Sequence, residues 1–190
     1  MRRRVRVEPR RVVFVGVEGK SERAFARFLA HCCEEAGLHL HLDVRPGNGG
    51  DSVSIVQEAG RRLEKHPAGN EIKDRLVLLD RDRIKQDLEA GRDACASASR
   101  WNIEILFQEP NLEGLLLRLH PGQEQRKVAP GDTMRELRKV WPEYRKPPAA
   151  EQLRRRFNLS ALRRAAEYDR ELGRLLTVLG LEGSRSDGAR

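Results

Sequence analysis

Two strand-forming runs that do not alternate constrain this 190-residue chain most tightly. Val12-Val-Phe-Val-Gly-Val17, and the Leu76-Val-Leu-Leu79 that follows Arg75, have no polar side chain between their ends. A strand with one face in water alternates polar and apolar residues. A run without polar positions is buried on both faces, which is the signature of a parallel sheet covered by helices. The intervening segments supply those helices. Residues 20–36 place Ala24, Phe25, Phe28, Leu29 and Cys32 at helical spacing, and Gly37 suits the position just past the helix end. Leu38-His-Leu-His-Leu-Asp-Val44 alternates and reads as a second strand. Asp51 or Ser52 caps a helix running to about Lys65, and His66-Pro-Ala-Gly-Asn70 breaks the chain. Residues 84–100 read as one helix with Gly91 as its weak point, Asn102-Ile-Glu-Ile-Leu-Phe107 as the fourth strand, and Leu112 to Leu119 as a short helix.

The expected fold is α/β, with a mostly parallel, Rossmann-like four-stranded sheet flanked by helices and a C-terminal helical extension. The expected divisions are a basic arm over residues 1–11, an α/β domain over 12–120, and a basic helical extension over 121–190. Within the extension, residues 121–131 are a polar linker. Helical patterns follow over 132–141, 149–157 and 159–179, and the small polar residues from Gly180 to Arg190 are expected to fray.

Charge divides along the same lines. The formal net charge is +8. Residues 1–11 hold six arginines and one glutamate, 12–117 hold 14 basic and 18 acidic residues, and 118–190 hold 17 basic and 10 acidic residues. An acidic centre of −4 thus lies between ends of +5 and +7. Basic ends suit a polyanion such as DNA or RNA. Arg154-Arg155-Arg156 and Arg163-Arg164, on expected helices, would track a phosphate backbone, or would equally form a solvated face. No apolar run approaches the roughly 20 residues that cross a bilayer, and no apolar segment follows Met1-Arg-Arg-Arg as in a signal peptide. Three cysteines, Cys32 and Cys33 being adjacent, make neither a disulfide framework nor, with His31, a zinc site. These features predict a soluble cytoplasmic protein with no membrane partner. His39 and His41 share one strand face, which suits solvent or a helix better than a metal.

Ligands of open α/β sheets bind beyond the carboxyl ends of the strands, and acids gather there. Glu18 follows the first strand, Asp80-Arg-Asp82 the third, and Glu109-Pro-Asn-Leu-Glu113 the fourth. If the third strand runs on, Asp80 and Asp82 share a face. Any one of these acids alone is an ordinary helix cap. Together they repel unless a cation sits between them, and Mg²⁺, bound by one or two carboxylates with water and phosphate completing its shell, is the natural choice.

Val15-Gly-Val-Glu18-Gly-Lys20-Ser-Glu22 with Leu78-Leu-Asp80-Arg-Asp82 resembles the Toprim domain of topoisomerases, bacterial primases and related nucleases. The closer resemblance is to RloB-like proteins, small bacterial proteins of restriction and phage-defence neighbourhoods. It adds Gly47-Asn-Gly-Gly50 and Pro110-Asn-Leu-Glu113-Gly-Leu-Leu-Leu-Arg-Leu-His120, and covers about residues 12–146, ending near Tyr144-Arg-Lys146. Leu112 and Leu115 depart from the family's Phe and Trp, and one extra residue precedes His120.

The resemblance implies metal-dependent phosphodiester hydrolysis of DNA or RNA, in the company of a defence-system partner protein. Asp80 and Asp82 would hold Mg²⁺ or Mn²⁺. Glu18 would be general base or a further ligand, and Glu113 would complete the metal site. Lys20 would contact a phosphate, or else be an ordinary exposed lysine. His120 is expected at the surface just past a helix, and neither Tyr144 nor Tyr168 is expected to act as a topoisomerase-like nucleophile. The rival expectation is a non-catalytic nucleic-acid-binding or regulatory subunit that keeps the fold. A haloacid-dehalogenase-like phosphatase ranks last, because its D-x-D would end the first strand.

Overall fold

A computed structural model describes residues 9–47 and 49–183. The expected arm over residues 1–11 therefore falls largely outside the described residues. Its last member, Arg11, opens the first strand and pairs with Asp74 at 2.9 Å.

Four strands, β1 (Arg11–Val17), β2 (Leu40–Pro46), β3 (Asp74–Asp80) and β4 (Glu104–Gln108), form one sheet in the order β2-β1-β3-β4. Every neighbouring pair is parallel. Helices cover both faces, as the unbroken apolar runs require. Val13, Val15, Val17, Leu76, Leu78 and Leu106 point to one layer of core, and Phe14, Val77, Leu79 and Ile105 to the other. The second layer is closed by α2 (Ser52–Glu64) and α4 (Ala94–Ser99). The first is closed by α1 (Lys20–Glu35), α5 (Leu112–Arg118), α6 (Thr133–Val140), α7 (Ala150–Arg156), α8 (Leu159–Ala166) and α9 (Arg170–Leu179). Burying each large apolar side chain contributes roughly 1.5–3 kcal/mol, so the sheet is held from both sides.

The expected elements are present with four corrections. The segment 84–100 is two helices, α3 (Arg81–Glu89) and α4. Gly91 separates them at φ +75°, which a side chain would strain, and Asp93 restarts the chain by accepting the Ala96 N–H at 3.0 Å. The segment 159–179 breaks at Asp169, which caps α9 through the Leu172 N–H at 3.0 Å and pairs with buried Arg118 at 2.5 Å. Of the segment 180–190 expected to fray, the described part does not: Leu181 is buried in the core and donates its N–H to the Leu176 carbonyl at 2.8 Å, and residues 184–190 lie outside the described residues. His120 is not at the surface. It is 5% exposed and packs edge-on against Phe157 and Trp141.

The helices after residue 120 do not stand apart from the sheet. Leu137, Trp141, Tyr144, Leu153, Phe157 and Leu162 join the same apolar cluster as α1 and the first sheet face. Helix α7 lies on α1, α6 on α5, and α9 along β4. Among the described residues no helix is long and apolar enough to cross a membrane.

Candidate functional site

The carboxyl ends of β1, β3 and β4 meet beside an open cavity of about 570 Å³ that Asp80, Asp82, Arg83, Asn111, Glu113 and Lys146 help to line. Each acid arrives by a local rule. After β1, Gly19 takes an extended conformation and α1 begins at Lys20. Glu22, three residues past Gly19, turns back to accept the Gly19 N–H at 3.0 Å, which satisfies one of the helix's free donors. Glu18 is left at the strand tip, partly buried, where Arg83 donates to its Oε1.

β3 ends at Asp80 and α3 starts at once. Asp80 and Asp82 therefore do not share a strand face: Asp80 is the last strand residue and Asp82 stands in the first turn of the helix. The Asp82 N–H donates to the Pro110 carbonyl at 3.1 Å, and Asp80 Oδ1 accepts the Leu112 N–H at 3.0 Å. These two bonds tie the strand end to the head of α5. Glu113, in the first turn of α5 and 3% exposed, has both oxygens engaged. Tyr144 Oη donates to one at 2.9 Å and Lys146 Nζ to the other at 3.1 Å.

The electrostatics follow from this crowding. Burial, with Glu22, Asp82, Glu18 and Glu113 around it, pushes the Asp80 carboxyl up to about 8. Burial also raises Glu18 against the pull of Arg83, and raises Glu22 against the Gly19 hydrogen bond and Lys146. The Tyr144 phenol is raised by burial and by the Glu113 carboxylate, so it stays protonated as a donor rather than serving as a nucleophile. Lys146 loses solvation but is raised on balance by Glu113, Glu22 and Asp80, and it keeps its charge. Five carboxylates thus face two cations, Arg83 and Lys146.

Sequence reasoning placed Glu18, Asp80, Asp82 and Glu113 at this edge, and the structure brings all four there. It missed Glu22, Arg83, Tyr144 and Lys146. Glu22 and the Tyr144-Arg-Lys146 segment lay within the motif-bearing stretch but had no independent signal of burial. Lys20 is exposed at the start of α1 and is not among the residues lining the cavity, so the cation beside the acids is Lys146 instead. Arg154, Arg155 and Arg156 do not form a bare basic row. Arg154 and Arg155 both pair with Glu151, and Arg156 turns back to donate to the Val140 carbonyl at 2.7 Å. Tyr168 is exposed in the turn between α8 and α9 and is not among the residues lining the cavity.

Among the described residues no three Asp, Glu, His or Cys side chains stand together as a cage for a metal ion. The reason lies in the donor set. Both oxygens of Glu113 are held by Tyr144 and Lys146, and Glu18 is paired with Arg83. A four-carboxylate cage of Glu18, Asp80, Asp82 and Glu113 does not fit this arrangement. Mg²⁺ bound through one or two carboxylates and otherwise by water would take Asp80 and Asp82 as donors, each of which has one oxygen beyond the one that accepts from the Leu112 N–H or Asn111 Nδ2.

The chain matches no protein family, no curated protein and no solved structure.

Proposed function

We propose that this protein is a Mg²⁺- or Mn²⁺-dependent nuclease of Toprim type that hydrolyses phosphodiesters of DNA or RNA. The observation that carries the reading is the convergence of Glu18, Glu22, Asp80, Asp82 and Glu113 from three strand ends beside one open cavity, where Arg83 pairs with Glu18 and Lys146 with Glu113. Asp80 and Asp82 would hold the cation, which when bound would offset charge on a scissile phosphate and acidify a water. Glu18, made more basic by burial and aimed by Arg83, accepts a proton from the attacking water. Lys146 offers its N–H groups to a phosphate oxygen as charge develops. Glu113 and Tyr144 position Lys146 and do not themselves touch substrate. The resemblance to RloB-like proteins extends the proposal to bacterial phage defence or restriction, in the cytoplasm and beside a partner protein of that system.

The test is incubation of the protein with single- and double-stranded DNA and RNA in Mg²⁺ or Mn²⁺, with Asp80→Ala/Asp82→Ala and Glu18→Ala alongside. Cleavage lost by at least 10²-fold in both variants is the expected result. Cleavage that survives the double variant overturns the reading. One observation favours the second reading, a non-catalytic nucleic-acid-binding subunit: Glu18 and Glu113 are already neutralised by Arg83 and Lys146. That reading predicts binding without cleavage in either metal.

A further inference from the structure

A second cleft, of about 330 Å³, lies on the other side of the ridge that carries the acids. The two clefts interleave along the chain. Asp80 and Asp82 line the acidic cavity while Arg81 between them lines the second cleft, and Asn111 lines the first while Glu109 lines the second. Arg81 forms the ridge itself, its guanidinium 3.7 Å above the Phe107 ring and 3.2 Å from Glu109.

The acids of the second cleft are all occupied. Glu109 is held by Arg81, Asp169 by buried Arg118 at 2.5 Å, Glu124 by Arg164 at 3.3 Å, and Glu171 by Arg174 at 3.2 Å. Two of its cations, Lys127 and Arg170, are exposed and make no ion pair among the described residues. Beside them is Tyr168, 55% exposed, with Leu88 one of two large apolar side chains left open to solvent among the described residues. An open aromatic ring with two unpaired cations at its rim, next to a site that handles phosphodiesters, has the composition of a stacking platform for an unpaired base. A duplex offers only phosphates and groove edges to such a surface, because its bases are stacked on one another. A single strand offers a free π-face together with its phosphates.

We propose that this cleft holds one unpaired nucleotide of a single strand, its base stacked on Tyr168 and its phosphate against Lys127 and Arg170, with the strand continuing over Arg81 toward Asp80 and Asp82. The inference rests on the nuclease reading for the identity of the ligand. It makes that reading specific, because the substrate is single-stranded where it leaves the acidic site.

The experiment is fluorescence anisotropy with the full chain in EDTA, so that no cleavage occurs. The probe is a labelled 12-nucleotide single strand, compared with its blunt duplex. The single strand is expected to bind more tightly. Tyr168→Ala is expected to weaken that binding about tenfold or more, and Tyr168→Phe to keep it within about twofold. The Lys127→Gln/Arg170→Gln pair is expected to flatten the salt dependence by about 0.7 in log–log slope, the amount for the one phosphate that both side chains contact. All three side chains are exposed, so thermal melts should coincide with wild type. Equal binding by Tyr168→Ala, a preference for duplex, or no binding of either probe overturns the inference, and the last result leaves an acidic protein surface as the occupant. Cleavage in Mg²⁺ by wild type and Tyr168→Ala, set beside the binding data, separates the two ideas. If wild type cuts nothing but Tyr168-dependent binding persists, the nuclease reading fails and the cleft stands. If wild type cuts and Tyr168→Ala binds and cuts equally well, the cleft fails and the nuclease reading stands.

Discussion

Asp80 is the residue on which the site turns. Its carboxyl is pushed up to about 8 by burial and by four neighbouring carboxylates, against an ordinary 3.8. Between those values the folded chain holds a proton that the unfolded chain has released. The folded state is therefore favoured at low pH and loses that advantage as pH rises from about 4 through about 8. Asp80→Asn keeps the oxygen that accepts the Leu112 N–H and removes the charge. It should stabilise the protein by about 1–3 kcal/mol at pH 8, or roughly 2–10 °C in Tm, and change little at pH 4. Melting curves at the two pH values check this, and an equal shift at both would show that charge is not the cause. Millimolar Mg²⁺ should raise the wild-type Tm at pH 8 and leave that of Asp80→Asn unmoved. The presence of Asp80 at the cavity was legible from its place after an apolar run. The partner that neutralises Glu113 was not, because Lys146 lies 33 residues further along the chain and only the packing of the later helices brings it back.

At the scale of elements, the site depends on where the head of α5 is anchored. Gly114 sits one residue past Glu113, and a Cβ there would lie 2.5 Å from the Pro110 side chain and 3.0 Å from the Glu109 carbonyl. The Glu109–Pro110 loop carries the Asp82 hydrogen bond, and Asn111 caps the same helix through the Gly114 N–H at 3.1 Å. Gly114→Ala must push the helix start away from the loop. It should cost about 1–3 kcal/mol and loosen Asp80, Asp82 and Glu113 together. Denaturant unfolding would read the first effect. A fall in cleavage or metal affinity larger than the stability loss explains would read the second. A neutral substitution would mean that the loop yields freely. Elements of this kind were largely visible beforehand, because period and punctuation are local properties. Continuous apolar runs marked β1 and β3, and helical spacing marked α1. The breaks at Gly91 and Asp169 were smoothed over, because the flanking residues on each side keep helical character. The step from strand to helix at Asp80–Arg81 was also not legible, since an apolar run ending in Asp-Arg-Asp suits either a longer strand or an immediate cap.

For the whole molecule, the uneven charge suggested an acidic centre between two basic ends, and packing alters that picture. Much of the basic C-terminal half is consumed internally, by Arg126–Glu136, Lys139–Glu136, Arg164–Glu124 and Arg174–Glu104. The later helices bury their apolar faces against the sheet. The consequence is that two sites on opposite flanks of α5 set the pH profile together. His120, just past the end of α5, is held down to about 4 by burial and then by the Arg156 charge, and its Nε2 is buried with no hydrogen-bond partner among the described residues. An unfolded histidine takes a proton near 6.5, so stability falls as pH drops from about 6.5 to about 4. Asp80 acts in the opposite sense over about 4 to 8, and Glu18 and Glu22 are raised in the same direction as Asp80. Below pH 6.5 the two effects offset each other, and above it only the carboxylates act. Wild-type Tm should therefore be nearly flat from about pH 4.5 to 6.5 and decline toward pH 8. In Asp80→Asn the decline above 6.5 should shrink and a loss below 6.5 should emerge, because the histidine is no longer masked. Adding His120→Leu, which fills the same apolar pocket between Trp141 and Phe157, should remove that acid-side loss. A series of melts from pH 4 to 9 on wild type, the single variant and the double variant resolves it. If the double variant still loses stability below pH 6.5 as steeply as Asp80→Asn, His120 is not the group responsible, and the packing of the later helices onto α5 is not what senses acid.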